Sequence, residues 1–260
     1  MNRILFEIGP ITIYWYSVTM LLSVLIGIYL ATKESKKQGM YSFISDLVMN
    51  IIITGIIGAR LYYVAFNFEY YKYDLLSIIK IWEGGIAIYG AIIGGFLSIV
   101  YFASKSKQRI IKITDIIAPG LILAQSIGRW GNFFNGEAYG TEVTLEFLKK
   151  LHLPNFIIEG MYIDDTYYHP TFLYESVWCL IGFIILIIIR KITNRKEGIM
   201  TFSYFIWYGI GRLFIEGLRT DSLYLGNFRI SQLVSIFLII IGIIGITISN
   251  MKGKKNERTL

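Results

Sequence analysis

The apolar residues of this chain come in blocks, and the length of those blocks limits the fold more than any single motif. Each is close to the roughly 20 residues that a helix needs to cross a hydrocarbon core. Seven stretches qualify: 11–31, 46–66, 85–103, 113–128, 171–189, 199–218 and 230–250. The fourth is the weakest, because Asp115 and Pro119 interrupt it. With 55% hydrophobic residues and a mean hydropathy of +0.57, the chain is too apolar for a soluble domain of 260 residues. The expected fold is an all-α polytopic membrane protein with seven transmembrane helices. No internal repeat or low-complexity linker divides it, so residues 1–260 read as one domain.

The basic residues agree with that topology. Lys33, Lys36 and Lys37 follow the first stretch, and Lys105, Lys107, Arg109 and Lys112 follow the third. Arg190, Lys191, Arg195 and Lys196 follow the fifth; Lys252, Lys254, Lys255 and Arg258 follow the seventh. Lysine and arginine concentrate in cytoplasmic loops. The N-terminus and the loops after stretches two, four and six are therefore expected outside, and the C-terminus inside. The net charge of +7 then reports orientation, and no nucleic-acid partner is expected without a soluble basic domain. A cleaved signal peptide fits the first stretch poorly: Arg3 is offset by Glu7 and no small-residue cleavage site follows. The single Cys179 falls mid-stretch in the fifth and reads as a packing residue; with only His152 and His169, no zinc-ligand spacing exists.

On this topology the ionisable and polar residues sort to one depth. Tyr14 and Tyr16 open the first stretch, Arg60, Tyr62 and Tyr63 close the second, and Glu83 and Tyr89 open the third. Arg129 and Asn132 close the fourth; His169, Tyr174 and Glu175 open the fifth; Tyr208, Arg212, Glu216 and Arg219 close the sixth. All fall in the outer third of the membrane, which points to a shared cavity near the outer leaflet. Individually, several have plainer readings. Tyr14, Tyr62 and Tyr63 suit interfacial anchors, Lys80 and Arg219 suit snorkelling, and Arg60 suits either role. Tyr208, Arg212 and Glu216 recur at four-residue spacing with Arg219 three further on, so all four are expected on one helical face. An ion pair that merely neutralises itself is a weak reason to keep charges in lipid.

The stretch GRWGNFFNGEAYG, residues 128–140, is the densest polar motif. Gly128, Gly131, Gly136 and Gly140 are expected to let the backbone turn sharply and approach a ligand. Arg129 offers a planar fork suited to phosphate, Asn132 and Asn135 donate and accept, and Glu137 orients an arginine or takes a proton. Together they describe an anion pocket. It is no P-loop, since no Gly-Lys-Ser/Thr follows. The polar segment after it, about 141–168, reads as an outward head subdomain that gates access. Gly90 and Gly94, with Gly95 adjacent, have the spacing of close helix packing.

Six segments in order carry a family resemblance: IGPITIYWY (8–16), GARLYYV (58–64), WEGGIAIYG (82–90), the 128–140 motif, HPTFLYE (169–175) and YGIGRLFIEGLRTD (208–221). Over nearly its whole length the chain resembles the prolipoprotein diacylglyceryl transferases of bacterial plasma membranes. The resemblance implies transfer of the diacylglyceryl group of phosphatidylglycerol to the lipobox cysteine of a preprolipoprotein, giving a thioether and glycerol phosphate. It implies a phosphate held by Arg129 and Arg212, a pocket shaped by Asn132 and Glu137, and Glu216 aligning Arg212. Tyr16, Arg60, Gly140 and Tyr208 are then expected to contact substrate. No metal or organic cofactor is expected, and a monomer is. Many members carry His-Gly-Gly where this chain reads Tyr89, Gly90 and Ala91, and that histidine is assigned as general base. A tyrosine, with an ordinary pKa near 10, is a poor base at neutral pH. Tyr89 is expected to position substrate, with Glu137 or a lowered thiol pKa handling the proton. The rivals are an anion or lipid transporter, which would need polar residues through the inner halves of the stretches, and a passive lipid-binding protein.

Overall fold

A computed structural model describes residues 3–9, 11–193 and 196–257; Arg195 and Arg258, assigned above to inner loops, lie outside that set. An antiparallel hairpin, β1 (Ile4–Ile8) and β2 (Ile11–Tyr14), leads into α1 (Trp15–Lys37). Then come α2 (Tyr41–Phe66), the one-turn α3 (Phe68–Tyr71), α4 (Ile88–Ser106) and α5 (Ile110–Asn135). The segment after α5 folds as β3 (Glu142–Val143), α6 (Leu145–Lys150), α7 (Asn155–Gly160), β4 (Tyr162–Ile163) and β5 (Thr166–Tyr168). The chain continues through α8 (Thr171–Ile192), α9 (Ile199–Ile215), the hairpin β6 (Tyr224–Leu225) and β7 (Phe228–Arg229), and α10 (Ile230–Glu257).

Among the described residues six helices are long and apolar enough to cross a membrane: α1, α2, α4, α5, α8 and α10. The chain is thus an all-α, multi-pass membrane protein with small extramembrane elements. The expected span over 199–218 is the exception. It is a 17-residue helix, α9, closed by a 3-10 turn at Glu216–Leu218. Seventeen residues rise roughly 26 Å, a little short of the ~30 Å hydrocarbon core. The first expected span also begins later than residue 11. The β-branched run Ile11, Thr12, Ile13 pairs with Glu7 and its neighbours as a strand, and the helix starts only at Trp15.

The weakest expected span, 113–128, is present despite Asp115 and Pro119, for α5 runs unbroken from Ile110 to Asn135. Proline lacks the N–H that would bond the carbonyl four residues back. Here that orphan is the carbonyl of Asp115, and Arg190 of α8 donates to it from Nη2 at 2.6 Å. The Asp115 carboxylate accepts from the backbone N–H groups of Gly198 (2.5 Å) and Thr201 (2.8 Å) and from the Thr201 hydroxyl (2.6 Å). Both interrupting residues are satisfied by neighbouring helices, as apolar surroundings require.

The helices form two compact units, one of Thr32–Ile113 and one of the chain on either side of it. In the first, α2 and α4 touch backbone to backbone. A Cβ on Gly90 would lie 2.2 Å from the Gly58 carbonyl oxygen, and one on Gly94 2.2 Å from that of Thr54, so the small-residue spacing read from the sequence does mark a close crossing. In the second, α8 and α9 are joined by Trp178 and Trp207. Their rings stack at 4.4 Å, and each indole N–H donates to the other residue's backbone carbonyl at 2.9 Å. Cys179, fully buried beside Ala118, Ile122, Leu186 and Tyr204, packs as expected. The head strands pair in the order β3-β5-β4. The head has its own core, where Leu148, Ile157, Ile158 and Met161 meet Phe133 of α5 and Phe172 of α8.

Candidate active site

A continuous chain of polar side chains runs across α5, α8 and α9. Arg129 of α5 contacts Glu175 of α8, Nη2 to Oε1, at 2.6 Å. The other carboxylate oxygen of Glu175 accepts from Nη1 of Arg212 at 3.0 Å. Arg212 in turn reaches Glu216 from Nη2 at 2.7 Å. On the opposite side, Arg129 Nη1 approaches Asn132 Oδ1 at 3.4 Å, and Asn132 Nδ2 donates to Glu137 Oε1 at 2.9 Å. Six residues, on α5, α8, α9 and the turns that follow α5 and α9, therefore form one network.

Its electrostatics follow from burial. Glu175 and Glu216 are 3% and 1% exposed, and the two guanidiniums are mostly covered. Two cations face two anions, so the buried set is neutral, which makes its place among apolar helices tolerable. Glu137 differs: it is exposed, and among the described residues its carboxylate accepts a hydrogen bond from an amide rather than from an arginine. Arg129 keeps spare capacity, since its Nε is buried without a hydrogen-bond partner among the described residues. Glu175 was named from the sequence only as one of several outer polar groups. Its signal was its place in HPTFLYE, four residues before Cys179 on an otherwise apolar helix.

The local backbone departs from the sequence expectation. Gly128 and Gly131 do not turn the chain; residues 128–135 are the last turns of α5. A side chain at Gly131 would strike Tyr16 and Thr19 of α1, so glycine here admits a crossing helix. The turn comes only at Gly136 (φ +62°) and Ala138 (φ +58°). The helical phase then sets Arg129 and Asn132 three residues apart on one face, where they meet. Gly140 is buried where the head, α8 and the end of α9 meet. Its N–H donates to the His169 carbonyl at 3.0 Å, and an added Cβ would lie 2.6 Å from that of His169.

Tyr16 lies within electrostatic reach of Arg129 and Glu137. Tyr208 lies within reach of Arg129, Glu175 and Arg212, its ring stacked on Tyr204 at 5.7 Å. Arg219 does not share their helical face. The helix has ended before it, its backbone is extended, and its guanidinium grips Asp221 through two bonds of 2.9 and 2.7 Å. His169 meets the Tyr174 hydroxyl at 3.2 Å, and burial holds its imidazole below the usual histidine pKa.

Arg60 and Tyr89 belong to the other unit. Every N–H of the Arg60 guanidinium goes to a backbone carbonyl: Nε to Ile78, Nη1 to Gly84 and Gly85, Nη2 to Ser77 and Lys80, at 2.6–3.4 Å. With its donors taken, Arg60 organises the loop from Ser77 to Gly85 and has no N–H left for a ligand. A cavity of about 330 Å³ opens beside it, lined by Tyr63, Asn67, Tyr70 and Tyr71. Tyr89 is exposed in the first turn of α4, with its ring 6.3 Å from that of Tyr62 and no hydrogen bond to its hydroxyl among the described residues.

A family model described as prolipoprotein diacylglyceryl transferase matches residues 3–248. Three relatives, each named phosphatidylglycerol–prolipoprotein diacylglyceryl transferase, illustrate the similarity. That of Bacillus mycoides (strain KBAB4) is 48% identical over 100% of this chain and 96% of its own length. That of Bacillus cereus (strain Q1) is 47% identical over the same shares. That of Listeria innocua serovar 6a is 51% identical over 94% of this chain and 88% of its own.

Proposed function

Because the chain belongs to the prolipoprotein diacylglyceryl transferase family, we propose that the network around Glu175 holds the phosphate of phosphatidylglycerol while a lipobox thiol displaces it. The protein transfers the diacylglyceryl group of phosphatidylglycerol to a preprolipoprotein cysteine. The sulfur forms a bond to the terminal glyceryl carbon, the C–O bond to phosphate breaks, and glycerol phosphate leaves with the electron pair. Negative charge stays on phosphate oxygens throughout, so fixed cations are the chemistry required. The observation that carries the reading is that one buried carboxylate holds two arginines of different helices, at 2.6 and 3.0 Å. Arg129 and Arg212 are thereby pre-set as a pair, with planar forks suited to phosphate oxygens.

The thiol must lose its proton, since a free cysteine with a pKa near 8.5 is only a few per cent thiolate at neutral pH. Glu137 is the favoured acceptor. Unlike Glu175 and Glu216 it is exposed and, among the described residues, is not held by an arginine. Tyr89 stands where many relatives of the family are expected to carry histidine, and a positioning role suits its phenol better than that of a base. Asn132, Gly140, Tyr16 and Tyr208 line or support the same site, and Arg60 organises the loop beside the cavity of its own unit.

In the membrane, α9 counts as a seventh span, the N-terminus faces outward and the C-terminus inward, and the site lies near the outer leaflet. The alternation of lysine- and arginine-rich loops supports this orientation. The whole chain then acts as one transferase domain with residues 141–168 as its outward head. The test is a mass spectrum of a lipobox peptide incubated with purified protein and phosphatidylglycerol. A diacylglyceryl mass increase is expected with intact protein, and neither with Arg129→Ala nor with a peptide whose cysteine is serine. Full activity of Arg129→Ala would refute the assignment of the phosphate site.

A further inference from the structure

We propose that Asp115, at the far end of the same three helices, is a positioning residue for the transfer reaction, acting as the N-terminal cap of α9 from outside that helix. The inference rests on the reading of Arg129 and Arg212 as the phosphate-binding pair.

A helix exposes its first N–H groups and normally caps them with a side chain just before the first turn. In α9 that position is Gly198, which has no side chain to offer. The missing acceptor comes from α5. The Asp115 carboxylate takes the N–H groups of Gly198 and Thr201 and also the Thr201 hydroxyl, which further contacts Thr114 at 2.9 Å. Arg190 of α8 fixes Asp115 from behind through its carbonyl. Helices α5, α8 and α9 are thus clasped twice, by Asp115, Arg190 and Thr201 at one end and by Arg129, Glu175 and Arg212 at the other.

The two clasps lie eleven to fifteen residues apart along each helix, about 16–22 Å at 1.5 Å per residue. A carboxylate on two backbone N–H groups and a hydroxyl fixes both the axial position and the rotation of α9. Slipping by one residue would move Arg212 by about 1.5 Å and turn it by roughly 100°. A misplacement near 1 Å can slow a reaction about 100-fold. Asp115 therefore sets where Arg212 stands relative to Arg129 without touching substrate.

The experiment compares purified wild type with Asp115→Ala, Asp115→Asn, Thr201→Val and Arg129→Ala, using a lipobox peptide and phosphatidylglycerol in detergent. Rates are taken per monodisperse, folded molecule. Asp115→Ala is expected to lower kcat about 10- to 100-fold with KM for phosphatidylglycerol within twofold. Asp115→Asn keeps one acceptor oxygen and is expected to recover part of that loss, and Thr201→Val, which removes only the hydroxyl, to lose less. An Asp115→Ala protein that melts earlier but turns over at the wild-type rate per folded molecule would overturn the proposal. If Asp115→Ala does not fold, Thr201→Val decides: an unchanged kcat is then the overturning result. Full activity of Arg129→Ala would instead remove the site reading on which the inference rests.

Discussion

Glu175→Gln is the most informative single change, because it removes one charge and almost no volume. In the wild type, Glu175 is buried between Arg129 and Arg212, 2.6 and 3.0 Å away, and Glu216 supplies the second anion. After the change two buried guanidiniums face a single carboxylate, and the set carries a net positive charge. Removing one partner of a buried pair destabilises proteins by about 3–5 kcal/mol, far above the roughly 0–1 kcal/mol of exposed pairs. A similar loss is expected in unfolding by denaturing detergent. Two effects then compete in the assay. The added positive charge favours an anionic headgroup, so KM for phosphatidylglycerol should not rise. Arg129 and Arg212 lose the group that aligns them, and kcat should fall about 100-fold or more, as it does when preorganised donors are lost. A Glu175→Gln protein with wild-type stability and wild-type kcat would refute the argument, because the carboxylate would then be holding nothing that matters.

Arg60→Lys replaces five fixed donors by three at most; the loop from Ser77 to Gly85 should become markedly more sensitive to limited proteolysis while the unit's helices persist. Gly140→Ala forces a Cβ to within 2.6 Å of that of His169 and 3.1 Å of the Leu218 carbonyl oxygen, for an expected loss of about 1–3 kcal/mol in thermal or detergent unfolding. Tyr89→Phe should keep a measurable fraction of lipidation activity, and loss as complete as that of Arg129→Ala would mean the phenol is chemically required. Asp221 is held below the usual carboxylate pKa by its hydrogen bonds to Arg219. A depressed folded pKa contributes stability that is present above the ordinary value near 3.9 and lost as pH falls through the lower folded value. The stability difference between wild type and Asp221→Asn should therefore be flat from pH 5 to 8 and shrink below about pH 4.

Much of this was legible because apolar block length and charge placement are local properties of a sequence. The blocks announced α2, α4, α8 and the apolar part of α10 (Ile230–Met251) to within about five residues, and the four-residue spacing of Arg212 and Glu216 announced their contact. What failed depended on partners distant in sequence. Asp115 and Pro119 make the fourth stretch look the weakest until Arg190, Gly198 and Thr201 are brought to them. Gly128 and Gly131 look like turn residues until α1 is seen to cross there. Arg60 carries the same charge as Arg129, and no local pattern says that backbone carbonyls consume its donors while a glutamate engages the other. Glu175 gave the weakest signal for its importance, since a bridging residue is defined by what stands on both sides of it.

The neutrality of the Arg129, Glu175, Arg212 and Glu216 set has a counterpart in biosynthesis. The ribosome delivers these residues one at a time, and α5 emerges carrying Arg129 long before α8 supplies Glu175 and α9 supplies Arg212 with its own Glu216. Until then a charged arginine must wait at the margin of the lipid or beside the insertion machinery, where charge is tolerated at a cost of a few kcal/mol. Helices α8 and α9, made later, would therefore pull α5 into its final place, and a chain truncated after α5 is expected to insert poorly.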